Sequence, residues 1–126
     1  MDPIGAAVDV LGDRWTLLIL RDIVFEDRRY FRALLNGSPE GIATNILSDR
    51  LARLLEAGIL VRGAAGRGQR ARYSLTEAGI RTVPILMAYG AWGSAWRSSD
   101  AEAEASPVPS EVDLTRDLRI RHERPL

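Results

Sequence analysis

The sequence predicts a mainly α-helical domain with one small β-hairpin, and most of the evidence lies between residues 30 and 79. In the segment IATNILSDRLARLLEAGIL, four leucines recur at the spacing of one helix face: Leu47, Leu51, Leu54 and Leu55. This leucine helix should end at Gly58, and two β-prone runs follow it, at residues 59–62 and 72–75. Between them lies AAGRGQRA, whose glycines suit a hairpin tip. This order of elements predicts the α+β arrangement called a winged helix-turn-helix.

Four helices are predicted before the hairpin: residues 3–11, 14–24, 28–35 and 43–57. Pro3 lies in the first turn of the first helix, and Asp13 has the position of an N-cap for the second. The turn Asn36-Gly37-Ser38-Pro39 separates the third helix from the leucine helix.

The chain after the hairpin predicts a long helix, over about residues 76–97, that is apolar on two sides. Either Ser74 or Thr76 can cap this helix, and Pro84 should kink or break it. One apolar stripe consists of Ile85, Tyr89, Trp92 and Trp96. The other consists of Ile80, Val83, Met87 and Ala91. Because a domain this small can cover only one side, we expect a second copy to cover the other and the protein to be a homodimer.

The winged domain should therefore occupy residues 1–97, with helices at both ends available for dimerisation. Residues 98–110 are rich in Ser, Ala, Glu and Pro without periodicity, which is typical of a linker. In the tail, residues 111–126, apolar side chains share one side of an alternating pattern: Val112, Leu114, Leu118 and Ile120. The tail is expected either to add a strand to the body or to a partner, or to remain mobile.

The arginines are unevenly distributed although the net charge is zero. All 17 basic residues are arginine. Residues 28–72 contain nine of them and three acidic residues, whereas residues 98–126 contain four arginines and seven acidic residues. A basic segment beside an acidic tail is typical of a protein that places one face on phosphate. Ion pairs on a solvated face are the alternative explanation of the same composition.

Other function classes lack the residues that they need. The chain has no cysteine, which excludes disulfides, thiolate metal sites and a cysteine nucleophile. Its acidic residues are dispersed, and its one histidine, His122, lies in the charged tail. We therefore expect no enzyme, no metal site and no cofactor. No apolar run approaches about 18 residues and no cleavable leader is recognised, so we expect a cytoplasmic protein without a membrane partner.

The first turns of the leucine helix contain the residues best placed to read DNA. When such a helix enters the major groove, its N-terminal residues reach the base edges. Here these residues are Thr44, Asn45, Ser48 and Asp49. Asparagine suits adenine and serine is permissive. Asp49 should either accept from cytosine or pair with Arg53 four residues later, and the ion pair is favoured.

Arginines supply the predicted contacts with the DNA backbone. Arg67 and Arg70 lie among glycines at the hairpin tip, where they can reach phosphates or the minor groove rather than only cover a solvated loop. On the leucine helix, Arg50 is a better candidate than Arg53 for a phosphate contact. Arg29 and Arg72 complete the predicted DNA-binding set.

Several large side chains suggest a second site, for a small aromatic effector: Trp15, Met87, Tyr89, Trp92 and Trp96. Packing in the core and in the dimer explains most of them without a ligand. A cleft between the last helix and the winged body is the best remaining place for an effector.

Five segments in this order resemble the HxlR-type winged helix-turn-helix regulators, which are related to MarR-type repressors. They are LGDRWTLLILRDI, RRYFRALL, LSDRLARLLEAGIL, ARYSLTEAG and PILMAYGAWG, and the resemblance spans about residues 3–97. It implies a homodimeric transcription factor that binds double-stranded operator DNA, often as a repressor released by a small molecule.

The chain departs from that family at two positions. Members that sense oxidants or electrophiles have a cysteine just before a proline near the amino terminus, whereas Asp2 precedes Pro3 here, so any effector should bind noncovalently. Ala43 stands where a capping Ser or Thr is common, so the cap is weak or shifts to Thr44. The alternative function is a ligand-binding or sequestering protein on the same scaffold, with weak or lost DNA binding.

Overall fold

The computed structural model describes residues 2–98 and 109–123 and confirms a mainly helical fold with one two-stranded sheet. Four helices precede the sheet: α1 (Pro3–Leu11), α2 (Arg14–Glu26), α3 (Phe31–Gly37) and α4 (Thr44–Glu56). Asp13 caps α2 as predicted, because its carboxylate accepts the backbone N–H of Thr16 at 3.0 Å. The predicted bounds are close to the observed ones, with α3 displaced by a few residues along the chain.

The predicted hairpin is present. Its strands are β1 (Leu60–Arg62) and β2 (Tyr73–Leu75), which pair antiparallel with Leu60 opposite Leu75. We call residues 60–75 the wing. Gly58 ends α4 in the left-handed region, at φ 75°, which glycine adopts without strain. The chain can therefore turn directly from α4 into β1.

The predicted long helix is two shorter ones: α5 (Glu77–Ile80) and α6 (Val83–Trp96). The break before Pro84 is confirmed. Thr76, rather than Ser74, caps α5 by accepting the N–H of Gly79 at 3.1 Å. A side chain at Gly79 would collide with the carbonyl oxygen of Ile59, so this glycine allows α5 to lie directly against the start of the wing.

The C-terminal segment forms a helix, α7 (Glu111–Arg121), so the expectation of a strand or a mobile tail is wrong. Three residues at helical spacing are buried: Leu114, Leu118 and His122. Val112 and Ile120, which alternation placed on the same side as the leucines, are 72% and 68% exposed. The helical period therefore decides which face packs. Most of the predicted linker lies outside the described residues.

One hydrophobic core joins α2 to α7. Its fully buried aliphatic side chains come from α2, α3, α4, the wing, α6 and α7: Leu20, Ile23, Val24, Leu34, Leu47, Leu51, Leu54, Leu60, Val83 and Leu118. The leucines of α4 form its inner face, and the opposite face remains exposed. By contrast, α1 has no buried residue in the single chain.

A buried polar link connects the wing to α7. The guanidinium of Arg29 donates to the carbonyl of Tyr73 at 3.0 Å, to the carbonyl of Arg121 at 2.8 Å and to the hydroxyl of Ser74 at 2.6 Å. His122 Nδ1 accepts the N–H of Leu75 at 2.8 Å. The outer edge of β2 is thus paired by side chains from two distant parts of the chain.

This link corrects the prediction for Arg29. Arg29 is 6% exposed and its donors are used inside the protein, so it does not belong to the DNA-binding surface. His122, although it lies in the charged tail, is 3% exposed. No helix among the described residues is both long and apolar enough to cross a membrane.

We predict that stability falls when the pH is lowered from about 6.5 to about 4, because His122 must stay neutral in the folded protein. Burial lowers its pKa from 6.5 to about 4, with Arg29, Arg121 and Arg72 adding to the effect and Asp27 opposing it. Between these values the unfolded chain binds the extra proton and the folded chain does not, so acid favours unfolding. Urea unfolding at several pH values should show a loss on the order of 2 kcal/mol.

His122→Asn is the matched variant for this test. Asparagine can accept from Leu75 N–H but does not titrate, so its stability should change little over this pH window. If the wild type and the variant lose stability in parallel between pH 6.5 and 4, another group is responsible.

Candidate nucleic-acid interface

The first turns of α4 present an exposed polar surface. The predicted reading residues are all solvent-exposed: Thr44, Asn45, Ser48 and Asp49. Ala43 is the N-cap residue and provides no side-chain hydrogen bond. Leu47 and Leu51, which alternate with these positions along the helix, point into the core. The geometry therefore separates a packing face from a face that is free to enter a groove.

The charge of Asp49 is compensated within α4. Its carboxylate pairs with Arg53 at 3.0 Å, the predicted ion pair, and also with Arg50 at 2.7 Å. Asp49 and Arg53 are both largely exposed. A carboxylate on this face would otherwise repel phosphates, and the two guanidinium groups offset that repulsion.

Arg50 has a structural partner that the sequence did not indicate. Its guanidinium donates from Nε and from Nη2 to the two oxygens of Asp13, at 2.9 and 3.3 Å. The hydrogen bond from Arg50 is the main reason that the pKa of Asp13 falls to about 2. Arg50 therefore ties α4 to the start of α2, and the prediction of Arg50 as a free phosphate ligand does not fit this geometry.

The turn before α4 is held by a second ion pair. Arg21 donates to both oxygens of Glu40 at 2.7 Å, which lowers the pKa of Glu40 to about 2. The carboxylate of Asp22 is buried, accepts from Arg21 Nε at 3.0 Å and pairs with the guanidinium of Arg28 at 3.1 Å. No local sequence signal pairs these residues, because Arg21 and Glu40 are nineteen positions apart.

The wing holds the predicted backbone-binding arginines away from the core. Arg67, Arg70 and Arg72 are exposed. The guanidinium of Arg70 lies over the ring of Tyr30, 4.4 Å from its centroid, which is cation–π geometry. Because Tyr30 directly precedes α3, this contact links the wing to the helix-turn-helix.

A cleft of about 490 Å³ separates the wing from the helices. Its walls come from the start of α3 and from the wing, and four residues of α4 line its floor: Ser48, Leu51, Ala52 and Leu55. We call it the recognition cleft. Ser48 and Ala52 line it beside Arg70. The cleft thus brings a predicted reading residue and a predicted wing arginine to the same surface.

The structure does not gather the predicted aromatic site into one pocket. Trp15 and Met87 are partly buried against the core, and Arg14 stacks on Trp15 at 4.8 Å. Tyr89 lines a groove of about 320 Å³ between α1 and α6, whereas Trp92 and Trp96 are 61% and 74% exposed and line neither this groove nor the recognition cleft. Within the described part of the chain, no group of three or more acidic or histidine side chains could hold a metal ion.

Comparison with known proteins gives a consistent result. Residues 10–101 match the model of the HxlR-like helix-turn-helix family. The chain is 37% identical over 93 residues to an uncharacterised HTH-type transcriptional regulator of Mycobacterium tuberculosis, covering 73% of this chain and 57% of that protein. It is 35% identical over 100 residues to another such regulator from Synechocystis, covering 79% of this chain and 73% of that protein.

Solved structures show the same similarity. The crystal structure of PA1607, described as a candidate transcription factor, superposes with a TM-score of 0.72 at 35% identity, covering 86% of this chain and 72% of that one. The reduced form of the transcriptional regulator YodB from Bacillus subtilis superposes with a TM-score of 0.62 at 25% identity, covering 78% and 96%. The chain spans little more than half the length of the M. tuberculosis regulator.

The Asp13–Arg50 pair should stabilise the docking of α4, and Asp13→Asn isolates its charge. Asparagine caps a helix about as well as aspartate, so the variant keeps the α2 cap but loses the ion pair. We expect a loss of about 1 kcal/mol at pH 7, measured by urea unfolding. The difference from the wild type should vanish as the pH falls from about 4 to about 2, because a lowered carboxyl pKa stabilises only the ionised form.

Asp49→Asn is the control, since it removes the more exposed carboxylate that Arg50 also contacts. Its cost should stay below about 0.5 kcal/mol. Equal losses in the two variants would show that Asp13 has no special role in holding α4.

Proposed function

The chain belongs to the HxlR-like helix-turn-helix family, and we propose that it acts in the cytoplasm as a homodimeric regulator of transcription that binds double-stranded operator DNA. Repression is the simplest mode, because a dimer bound across an operator blocks access to it. Release by a noncovalent effector is part of the proposal, since the chain has no cysteine to modify.

The observation that supports DNA binding best is the exposed face of α4 beside a wing whose arginines have no ion pair among the described residues. Thr44, Asn45 and Ser48 lie where the first turns of a recognition helix meet base edges, and we assign them to sequence reading. Asn45 suits adenine. The exposed wing arginines at positions 67, 70 and 72 are assigned to phosphates or to the minor groove.

The proposed dimer rests on apolar surface that the single chain leaves open. On α1, Ile4 and Val8 are 77% and 56% exposed. On α6, Tyr89, Trp92 and Trp96 are at least as exposed as Val8. Several large apolar side chains that are exposed together on a small domain usually mark an interface. A two-fold dimer through α1 and α6 would cover them and present two copies of α4 to one operator, about 34 to 36 Å apart.

DNA binding should depend steeply on salt and on the wing. Neutralisation of about six to ten phosphates by a dimer should reduce affinity on the order of 10³-fold between 50 and 200 mM salt. Replacing both Arg67 and Arg70 by Ala should weaken binding to all sequences and flatten the salt dependence by about one unit of slope for each phosphate that is no longer neutralised. The measurement is a fluorescence-anisotropy titration with selected and random DNA duplexes.

The matched control removes the same charge from elements outside α4 and the wing: Arg81→Ala with Arg116→Ala. Both arginines are exposed and pair with acidic residues three or four positions away on the same stretch of chain. Equal weakening by the two double variants would reduce the wing effect to net charge alone. A wild type that binds no duplex while still capturing small ligands would favour the sequestering alternative.

Gly90→Arg should convert the dimer to a monomer without damaging the fold. Gly90 is exposed on α6 and a Cβ atom added there would have no neighbour within 4 Å, so arginine should also improve helix propensity by up to about 1 kcal/mol. In a dimer, however, Gly90 would face α6 of the second copy. An arginine there would be too large for a close contact, and its charge would be buried without a partner. We expect the mass measured by light scattering to be halved and DNA binding to weaken. The circular dichroism spectrum should stay that of a folded helical protein, because the substitution does not damage the single chain.

Gly90→Ala is the control, because its small methyl group preserves close approach while giving the same helical benefit. It should remain dimeric and bind DNA. A wild type that is monomeric at micromolar concentration would contradict the proposed interface.

A further inference from the structure

The wing is buried only at its base. Every side chain from residue 62 to residue 70 is exposed, whereas Leu60 and all three residues of β2 are buried. Beyond the strands, the N–H of Gly63 donates to the carbonyl of Arg72 at 2.8 Å, so the hairpin continues past β1 and β2. The direction in which the wing arginines point therefore depends mainly on how β2 is held.

The last turn of α7 holds the outer edge of β2. The N–H of Leu75 donates to His122 Nδ1 at 2.8 Å. The carbonyl of Arg121 accepts from Arg29 at 2.8 Å, and the same guanidinium donates to the carbonyl of Tyr73 at 3.0 Å. The end of α7 is thus joined to β2 directly and through Arg29.

Contacts of its own fix α7 to the body of the domain. Leu118 is fully buried in the core. Arg119 pairs with Glu77 of α5 at 2.7 Å, and Arg121 pairs with Asp27 after α2 at 3.1 Å. No residue of α7 lines the recognition cleft. This helix therefore supports the wing from outside the surface assigned to DNA.

We infer that α7 holds the wing in the orientation in which Arg67 and Arg70 reach DNA, so that the affinity for DNA depends on whether α7 is docked. His122 is the positioning residue of this linkage. The effect on DNA rests on the proposed function. Because such coupling is reciprocal, a molecule that displaced α7 would release DNA without touching the recognition helix. The segment that matches the family ends at residue 101, before α7 begins.

Two substitutions of His122 separate its hydrogen bond from its packing. Leucine fills a similar volume but leaves the N–H of Leu75 without an acceptor, whereas asparagine can still accept it. Both substitutions preserve the net charge at pH 7, because burial lowers the pKa of His122 to about 4 and the side chain is already neutral.

Amide hydrogen exchange of the full chain without DNA, followed by NMR, tests the support of the wing. In His122→Leu, the amides of Gly63 and Tyr73 should exchange at least about tenfold faster than in the wild type, while those of α4 are unchanged. His122→Asn should resemble the wild type. Equal exchange in all three proteins would overturn the inference. A uniform rise that includes α4 would also overturn it, because α7 would then support the whole fold rather than the wing.

Fluorescence-anisotropy titration with a DNA duplex tests the consequence for binding. His122→Leu should weaken binding at least about fivefold and flatten its salt dependence, because the wing no longer neutralises its phosphates reliably. In a protein that already carries Arg67→Ala and Arg70→Ala, the same leucine should change affinity less than about twofold. An equal loss in both backgrounds, or no loss in either, contradicts an effect through the wing.

Arg116→Gln is the control for a direct contact between α7 and DNA. Arg116 is exposed on α7 and pairs only with Asp113 among the described residues, so its loss removes a charge without touching the link to β2. Affinity for DNA should change less than about twofold. A loss as large as that in His122→Leu would mean that α7 acts by its charge, which overturns the inference.

The exchange measurement distinguishes failure of this inference from failure of the proposed function. If the wild type binds no duplex, the proposed function and the effect of α7 on DNA both fail, whereas the amides of Gly63 and Tyr73 still decide whether α7 holds the wing. If the wild type binds DNA and His122→Leu binds it equally well, the inference alone is overturned.

Discussion

The position of the wing depends on a single buried guanidinium. Burying a charge is costly unless its donors are satisfied, and the acceptors of Arg29 are two carbonyls and one hydroxyl in separate parts of the chain. Its own carbonyl accepts the N–H of Tyr73 at 2.8 Å. Removing this side chain would leave polar groups of β2 and of the end of α7 without their partner. The strand that anchors the wing is thus held by both the backbone and the side chain of Arg29.

The second constraint acts on α4, where charge pairs add to the burial of its leucines. Asp13 at the start of α2 holds Arg50, and Glu40 in the turn holds Arg21. These bidentate contacts are directional, so they set the rotation of α4 as well as its distance from α2. Its leucines then point inward and Asn45 outward. Asp13 has two roles, because it also caps the helix that it precedes.

The arginines between residues 28 and 72 consequently divide into two groups. One group is used internally: Arg28, Arg29, Arg50 and Arg53. The other has no ion pair among the described residues and lies at the start of α3 and along the wing: Arg32, Arg62, Arg67, Arg70 and Arg72. A protein with zero net charge can therefore still present a concentrated positive surface. That surface borders the recognition cleft, because Arg32, Arg62 and Arg70 line it.

Elements with a local cause could be predicted from the amino-acid sequence alone. Helical leucine spacing, the Asp13 cap, the glycines of the wing and the break before Pro84 each act within a few residues, and all are present in the structure. The pair between Asp49 and Arg53 follows from one turn of helix. Tertiary contacts determined the remaining features. The burial of Arg29 and His122 and the use of Arg50 by Asp13 depend on partners far along the chain, and spacing within a segment contains no information about such partners. The helix at residues 111–121 had local signals that the alternating pattern obscured, because Ser110 caps it and its first and last turns are acidic and basic.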